Sequence, residues 1–96
     1  MKNYRYVARS KAIAARALGD ETLVMSATNS TLFTLDEVAS VIWKSVDGVT
    51  PLDEIVSLKI CTEFEIEPEV ALKDAEALVE GLAEHGILLL SDQPLA

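Results

Sequence analysis

The first third of the chain carries short apolar stretches separated by residues that favour turns. The second and third stretches are rich in threonine and in β-branched or aromatic side chains, as is usual for β-strands. Tight turns between three short strands predict an antiparallel three-stranded sheet. The stretches are residues 13–18, 22–27 and 31–35, and the turn residues are Gly19-Asp20-Glu21 and Asn29-Ser30.

The rest of the chain has apolar residues at helical spacing and three sets of helix-end signals. A first helix begins near Thr34 to Asp36, where Thr34 with Glu37 fits a capping box and Asp36 is itself a good N-cap. Gly48 suits a left-handed cap after its end. A second helix begins at Thr50-Pro51, with threonine as the N-cap and proline at the first helical position. Pro68 opens a third helix that ends at Gly86.

Three strands followed by three helices predict an α+β fold in which the helices cover one face of the sheet. The last two helices form a pair similar to a helix-turn-helix, so the predicted architecture is winged-helix-like. Ninety-six residues make one domain. We divide the chain into a basic flexible arm (1–12), a folded domain (13–90) and a C-terminal tail (91–96).

Positive and negative charges are segregated along the chain, which has sixteen acids, eight bases and a net charge of −8. Five of the bases precede the first acid, Asp20. From Asp20 onward the chain has sixteen acids and three lysines, which gives this part a net charge of −13. An acidic body repels phosphate, so we expect no nucleic-acid partner. No run approaches the ~18 apolar residues of a membrane span, and the first residues lack the apolar core of a signal peptide, so we expect neither segment. We therefore expect a cytoplasmic protein with no membrane partner.

The residue types that carry catalysis or bind metals are scarce. Cys61 is the single cysteine and His85 the single histidine, which excludes an internal disulfide and the usual zinc sites. We interpret Cys61 as a small apolar residue packed in a helix, and His85 as a residue near a helix end. The carboxylates fall at helix starts or on exposed faces, and no glycine-rich phosphate loop is present. The sequence predicts no enzyme, no cofactor and no metal.

Binding is the remaining class of function. An edge strand of a small sheet offers unpaired backbone donors and acceptors, and a peptide can add to it as a fourth strand. The same edge can instead pair with a second copy of the chain. Physical reasoning from the residues leaves both alternatives open.

Several short motifs resemble the PqqD-like family, which takes its name from a member in pyrroloquinoline quinone (PQQ) biosynthesis. The resemblance covers about residues 13–90, although Asp36 stands where the family usually has asparagine. It continues in residues 50–56, with Glu-Ile-Val at their end, and in residues 70–90. The first matching positions are Leu35, Ala39, Ile42-Trp43 and Asp47-Gly48.

The resemblance implies a non-catalytic peptide chaperone, a recognition element for the leader of a ribosomally made precursor peptide. It presents that peptide to a modifying enzyme, often a radical-SAM protein. In the family, the leader adds to the third strand and packs toward the third helix. The implied contacts on the strand are Ser30, Thr31, Leu32, Phe33 and Thr34. The implied contacts on the helix are Lys73, Asp74, Ala77, Leu78 and Gly81.

Two other functions are compatible with the predicted architecture. One is a winged-helix transcription regulator that places the basic arm on phosphates, although an acidic third helix opposes this. The other is a purely structural subunit of a larger complex. A homodimer formed through the sheet edge is compatible with all three functions.

Overall fold

The computed structural model describes residues 4–11, 13–26 and 30–95, which form five strands and three helices. The order of these elements confirms the α+β class, with a three-stranded sheet followed by three helices. The strands are β1 (Tyr6–Arg9), β2 (Ile13–Leu18), β3 (Glu21–Ser26), β4 (Leu32–Leu35) and β5 (Leu88–Ser91). The helices are α1 (Glu37–Ser45), α2 (residues 52–64) and α3 (Pro68–Glu84).

Strands β2, β3 and β4 form the predicted antiparallel sheet, with β3 in the centre. Leu18 pairs with Glu21, so Gly19 and Asp20 are the two residues of the turn between β2 and β3. Gly19 has a positive φ of 64°, which glycine adopts without strain. In the second predicted turn Asn29 lies outside the described residues, while Ser30 also has a positive φ, of 57°.

A second, two-stranded sheet joins the two ends of the described chain. Strand β1 pairs antiparallel with β5, and Val7 opposite Leu90 is fully buried. The sequence predicts a basic flexible arm that includes residues 6–9, and it predicts no strand for residues 87–90. The partners lie about 80 residues apart, and a four-residue strand buries too few side chains to show a local pattern. Whether residues 1–12 act as an arm stays a prediction, and Lys2 lies outside the described residues.

Helix α2 changes its winding along its length. It begins as an α-helix over Leu52–Ile55, continues as a π-helix over Val56–Cys61 and closes with Thr62–Phe64. Pro51 occupies the N-cap position. The prediction of Thr50 as the N-cap was wrong, because its hydroxyl donates to Asp47 Oδ2 at 2.9 Å and holds the preceding turn.

Gly48, in that turn, forms backbone hydrogen bonds with residues near both ends of the described chain. Its N–H donates to the Val7 carbonyl at 2.8 Å, and its carbonyl accepts from the Leu95 N–H at 2.7 Å. Its φ is +80°, and a Cβ here would lie 3.1 Å from Leu95 Cβ and 3.3 Å from Ala8 Cβ. Glycine is therefore required both by the backbone conformation and by the close approach of two neighbouring segments.

The core lies where both sheets meet the helices. Helix α3 turns small residues inward at Ala71 and Ala75, which lets it approach α1 and α2 closely. Trp43 of α1 is buried, and the Arg9 guanidinium lies 5.8 Å from its ring centroid. The buried apolar side chains of the sheets and of the α3–β5 turn are Val7, Val24, Leu35, Ile87 and Leu88.

We expect Val7→Ala to lower the free energy of unfolding by about 2 kcal/mol, because it removes two methyl groups from a fully buried position. Val70→Ala, the same change at a half-exposed position of α3, should stay within about 0.5 kcal/mol of the unmodified protein. Urea unfolding followed by circular dichroism measures both. Equal stabilities of the two variants would show that β1 is not part of the cooperative core.

The Tyr4 hydroxyl donates to the Glu80 carboxylate of α3 at 2.8 Å. Burial first, then the hydrogen bond and the negative charge of Glu80, raise the pKa of Tyr4 well above its ordinary value of 10.0. Because the folded state favours the neutral phenol, this contribution to stability is present below pH 10 and is lost as the pH rises further. In an absorbance titration, Tyr4→Phe should remove a late-ionising phenol. Glu80→Gln should move that ionisation to lower pH, and an unchanged titration would contradict the assignment.

Candidate functional site

The hydrogen-bond pattern of β4 leaves one of its edges open. The Ser26 N–H donates to the Thr31 carbonyl at 3.1 Å, which makes these two a hydrogen-bonded pair. Hydrogen-bonded and non-hydrogen-bonded pairs alternate in an antiparallel ladder, so Phe33 also directs its backbone groups toward β3. Leu32 and Thr34 direct theirs away from β3. Among the described residues no strand pairs with β4 on that side.

The five strand residues predicted to bind a peptide therefore differ in what they offer. Leu32 and Thr34 present outward N–H and carbonyl groups, and the Leu32 side chain is 59% exposed. The backbones of Thr31 and Phe33 hold β4 to β3. The Ser30 N–H donates to the Ser26 carbonyl at 2.9 Å, so the turn already uses this donor.

Helix α3 runs beside β4 in the opposite direction. The Phe33 ring meets the His85 ring edge to face at the end of α3, with centroids 5.0 Å apart. At the other end of β4, Asp36 lines a pocket together with Asp74 and Leu78 of α3. Phe33 points to the helical side of the sheet, so a strand added to β4 would also direct alternate side chains toward α3.

The pocket beside the end of β4 has a volume of about 310 Å³ and is mainly apolar. It lies between α1, α2 and α3. Two exposed carboxylates, of Asp36 and Asp74, are its only charged lining groups among the described residues. Its larger apolar lining residues are Val38, Ile42, Ile60, Ile66 and Leu78.

The spacing of residues along α3 defines the side that faces this site. Asp74, Leu78, Gly81 and His85 follow one another at intervals of four, three and four, so they share one side of the helix. We call these four residues the groove stripe. A Cβ at Gly81 would meet no neighbouring atom of the described residues within 4 Å, so no close contact there requires glycine.

The structure brings together some of the predicted helix residues and separates others. Asp74 and Leu78 line the pocket, and Gly81 lies on the groove stripe. Lys73 and Ala77 are exposed and do not line the pocket. No observation of a bound peptide tests these contacts, so they stay predictions.

Sequence reasoning missed two residues of this site. His85 was interpreted only as a helix-end residue, yet its ring touches Phe33. It lies seven residues after Leu78, and this spacing could have placed it on the same side of the helix. Asp36 and Thr34 were the two predicted N-caps of α1, and Asp36 is the cap in the structure, because its Oδ1 accepts from the Ala39 N–H at 2.8 Å. Its place in the pocket depends on the packing of α1 against α3, which local sequence does not show.

A buried hydrogen-bond chain fixes the junction of β4 and α1. The Thr22 hydroxyl of β3 donates to Ser40 Oγ at 2.8 Å, and the Ser40 hydroxyl donates to the Leu35 carbonyl at 3.2 Å. Thr22 and Ser40 are both buried. This chain sets the direction in which α1 leaves the sheet and thereby positions Asp36 at the pocket.

Strand β2 forms the second edge of the same sheet and makes a poorer peptide site. By the same alternation, Ala15 and Ala17 direct their backbone groups outward. The side chains of β2 after Ile13 are all exposed. A peptide added there would gain main-chain hydrogen bonds but no side-chain pocket shared with a helix, so β4 is the candidate site.

In the described part of the chain, no group of three or more histidine, cysteine, aspartate and glutamate residues is placed to hold a metal ion. Cys61 is half-buried in α2. None of the helices in these residues is long and apolar enough to cross a lipid bilayer.

An open sheet edge beside a helix and an apolar pocket is the geometry of domains that bind extended peptides by strand addition. The sequence matches the family described as Coenzyme PQQ synthesis protein D (PqqD) over residues 21–88, and the chain belongs to that family. The match confirms the resemblance derived from residues 35–48 and the later motifs. No curated protein is significantly similar in sequence.

Two solved structures share the fold. One is TbiB1 in complex with the TbiA(beta) leader peptide, with a TM-score of 0.74, 28% identity, and coverage of 83% of this chain and 92% of TbiB1. The other is a lasso peptide synthetase B1 complexed with the leader peptide. It has a TM-score of 0.68, 18% identity, and coverage of 86% of this chain and 96% of that protein. At 18% identity, the second similarity concerns the fold alone.

We expect Ser40→Ala to lower the free energy of unfolding by about 1–3 kcal/mol, because it leaves the buried Thr22 hydroxyl without its acceptor. Adding Thr22→Val should recover part of this loss, because the double variant buries no unpaired hydroxyl. Urea unfolding of the two single variants and the double variant measures the coupling. Strictly additive effects would contradict the hydrogen-bond chain.

Proposed function

We propose that this protein is a non-catalytic recognition element that binds the leader of a ribosomally made precursor peptide. The leader adds to the open edge of β4, and the rest of the peptide is presented to a modifying enzyme. The single observation that carries the proposal is the outward direction of the Leu32 and Thr34 backbone groups beside α3. Membership of the PqqD family and the leader peptides bound to the two similar structures support it.

The available hydrogen bonds set the scale of the affinity. Leu32 and Thr34 together offer two N–H groups and two carbonyls, and each net hydrogen bond contributes about 0.5–1.5 kcal/mol. The entropy lost on association costs several kcal/mol of binding free energy. Main-chain pairing alone therefore gives weak binding that is indifferent to sequence. Specificity requires side chains of the leader in the pocket and along the groove stripe.

The protein acts by tethering in this proposal. A leader held on β4 raises the local concentration of the attached core peptide at an enzyme that binds the same domain, so moderate affinities for both partners suffice. The partner is a radical-SAM protein or another peptide-modifying enzyme, as the family resemblance implies. Catalytic groups are supplied by that partner.

The alternative functions receive less support from the geometry. A winged-helix regulator would place α3 near phosphates, but the exposed positions of α3 include Glu69, Asp74 and Glu84. These charges repel a nucleic-acid backbone. Pairing of two copies through β4 would occupy the same edge as the leader. A homodimer of that kind should therefore dissociate when peptide is added, which light scattering detects.

Leu32→Pro and Thr34→Pro test the docking edge, because proline removes the outward N–H. We expect both variants to stay folded, since an edge strand tolerates proline where the N–H faces solvent. A peptide selected by the unmodified protein from a displayed library of random sequences serves as the probe. Its affinity for each proline variant should fall at least about tenfold, as expected for a lost donor and a steric clash at the edge.

Leu32→Ala is the matched control, because it shortens the side chain but keeps the amide. Its affinity for the selected peptide should stay within about threefold of the unmodified value. Circular dichroism verifies that each variant is folded before titration by fluorescence anisotropy. Folded proline variants that bind as tightly as the unmodified protein would refute strand addition at β4.

A further inference from the structure

We infer that the leader recognised by this protein is basic at its docking segment, with a lysine or arginine beside a bulky apolar residue. The apolar side chain occupies the pocket, and the cation lies against Asp36 and Asp74. This inference rests on the proposed function and specifies which leaders the same site accepts. It comes from the lining of the pocket and from the distribution of charge in this chain.

The position of the pocket determines which part of the leader enters it. Asp36 directly follows β4, so a strand continuing along the open edge reaches the pocket after passing Thr34. Side chains on the helical face of that strand point toward Leu78 and its neighbours on α3. A volume of about 310 Å³ is at the lower end of the range for ligand sites and suits one bulky side chain.

The charges at the pocket favour a cation beside that side chain. Within the described residues, no cation forms an ion pair with Asp36 or Asp74. Asp36 caps α1 through Oδ1, which accepts a hydrogen bond from the Ala39 N–H. Lys73 precedes Asp74 on α3, but it is exposed and does not line the pocket. A lysine or arginine of the peptide therefore meets two carboxylates that no described lysine or arginine contacts as an ion pair.

The net negative charge of the domain also favours a cationic peptide. The chain from Asp20 onward contains sixteen acids and only three lysines. Two of the arginines before Asp20 already lie over aromatic rings, Arg5 over Tyr6 of β1 at 5.9 Å and Arg9 over Trp43 of α1 at 5.8 Å. A mainly apolar pocket that carries two carboxylates, in an acidic body, attracts cationic peptides and repels acidic ones.

The test compares libraries selected by two charge-matched variants. Asp36→Asn with Asp74→Asn removes the pocket carboxylates, and asparagine still caps α1. Glu63→Gln with Asp92→Asn removes the same number of charges from exposed positions that do not line the pocket. Random displayed peptides are selected on the unmodified protein and on both double variants. A peptide selected by the unmodified protein is then titrated against all three.

We expect the unmodified protein and the Glu63/Asp92 variant to enrich lysine or arginine beside a bulky apolar residue. The Asp36/Asp74 variant should lose this enrichment. Its affinity for the selected peptide should fall by about two- to thirtyfold, the range for two exposed ion pairs. Added salt should weaken binding to the unmodified protein more than binding to this variant.

The other outcomes separate this inference from the proposed function. Selected peptides without basic residues, whose binding is lost with Leu32→Pro, would overturn the inference and leave strand addition intact. An equal loss of affinity in both double variants would also overturn it, because the preference would then follow net charge and not the pocket. A selection that yields no peptide sensitive to Leu32→Pro would overturn both the inference and the proposed function.

Discussion

Each backbone N–H of β4 points either to β3 or to the open side of the sheet. The register in which β4 pairs with β3 determines this direction for every residue of β4. The bond from Ser26 to Thr31 sets the alternation. From it follow the outward groups of Leu32 and Thr34, and also the side chains that face the helices. A shift of one residue in this register would turn Phe33 away from His85 and present a different set of amides. The binding edge thus depends on the register of a four-residue strand.

The register is secured by polar groups at the end of β4 and by apolar packing elsewhere. Thr22 and Ser40 form a buried connection between β3, the last carbonyl of β4 and α1. Buried hydroxyls must be paired, so only a narrow set of positions of α1 satisfies them. The pocket between α1 and α3 is consequently well defined on the side of α1. On the side of α3 its shape depends on small residues such as Ala71 and Ala75, which let the helices approach.

Local sequence patterns predicted those turns and helix ends that depend on only one or two neighbouring residues. The turn at Gly19 and the cap at Asp36 each rest on the chemistry of one or two residues, and both are present in the structure. The pairing of β1 with β5 joins segments distant in sequence and has no local signature. The ring contact of Phe33 with His85 is of the same kind, because it requires the packing of α3 on the sheet. The candidate strand was implied by the family resemblance, whereas nothing in the sequence indicated the shape and charge of the pocket.

The pairing of β1 with β5 also determines where the chain enters and leaves the domain. Tyr6 lies opposite Ser91, and the Arg5 N–H donates to the Ser91 carbonyl at 2.9 Å, so the two ends of the described fold are neighbours. A unit of this shape can be spliced into a surface loop of a larger protein with little distortion of either partner. The open edge of β4 belongs to the other sheet, so such an insertion leaves that edge unpaired. The geometry of its ends therefore makes this domain suited to insertion as a module within a larger protein.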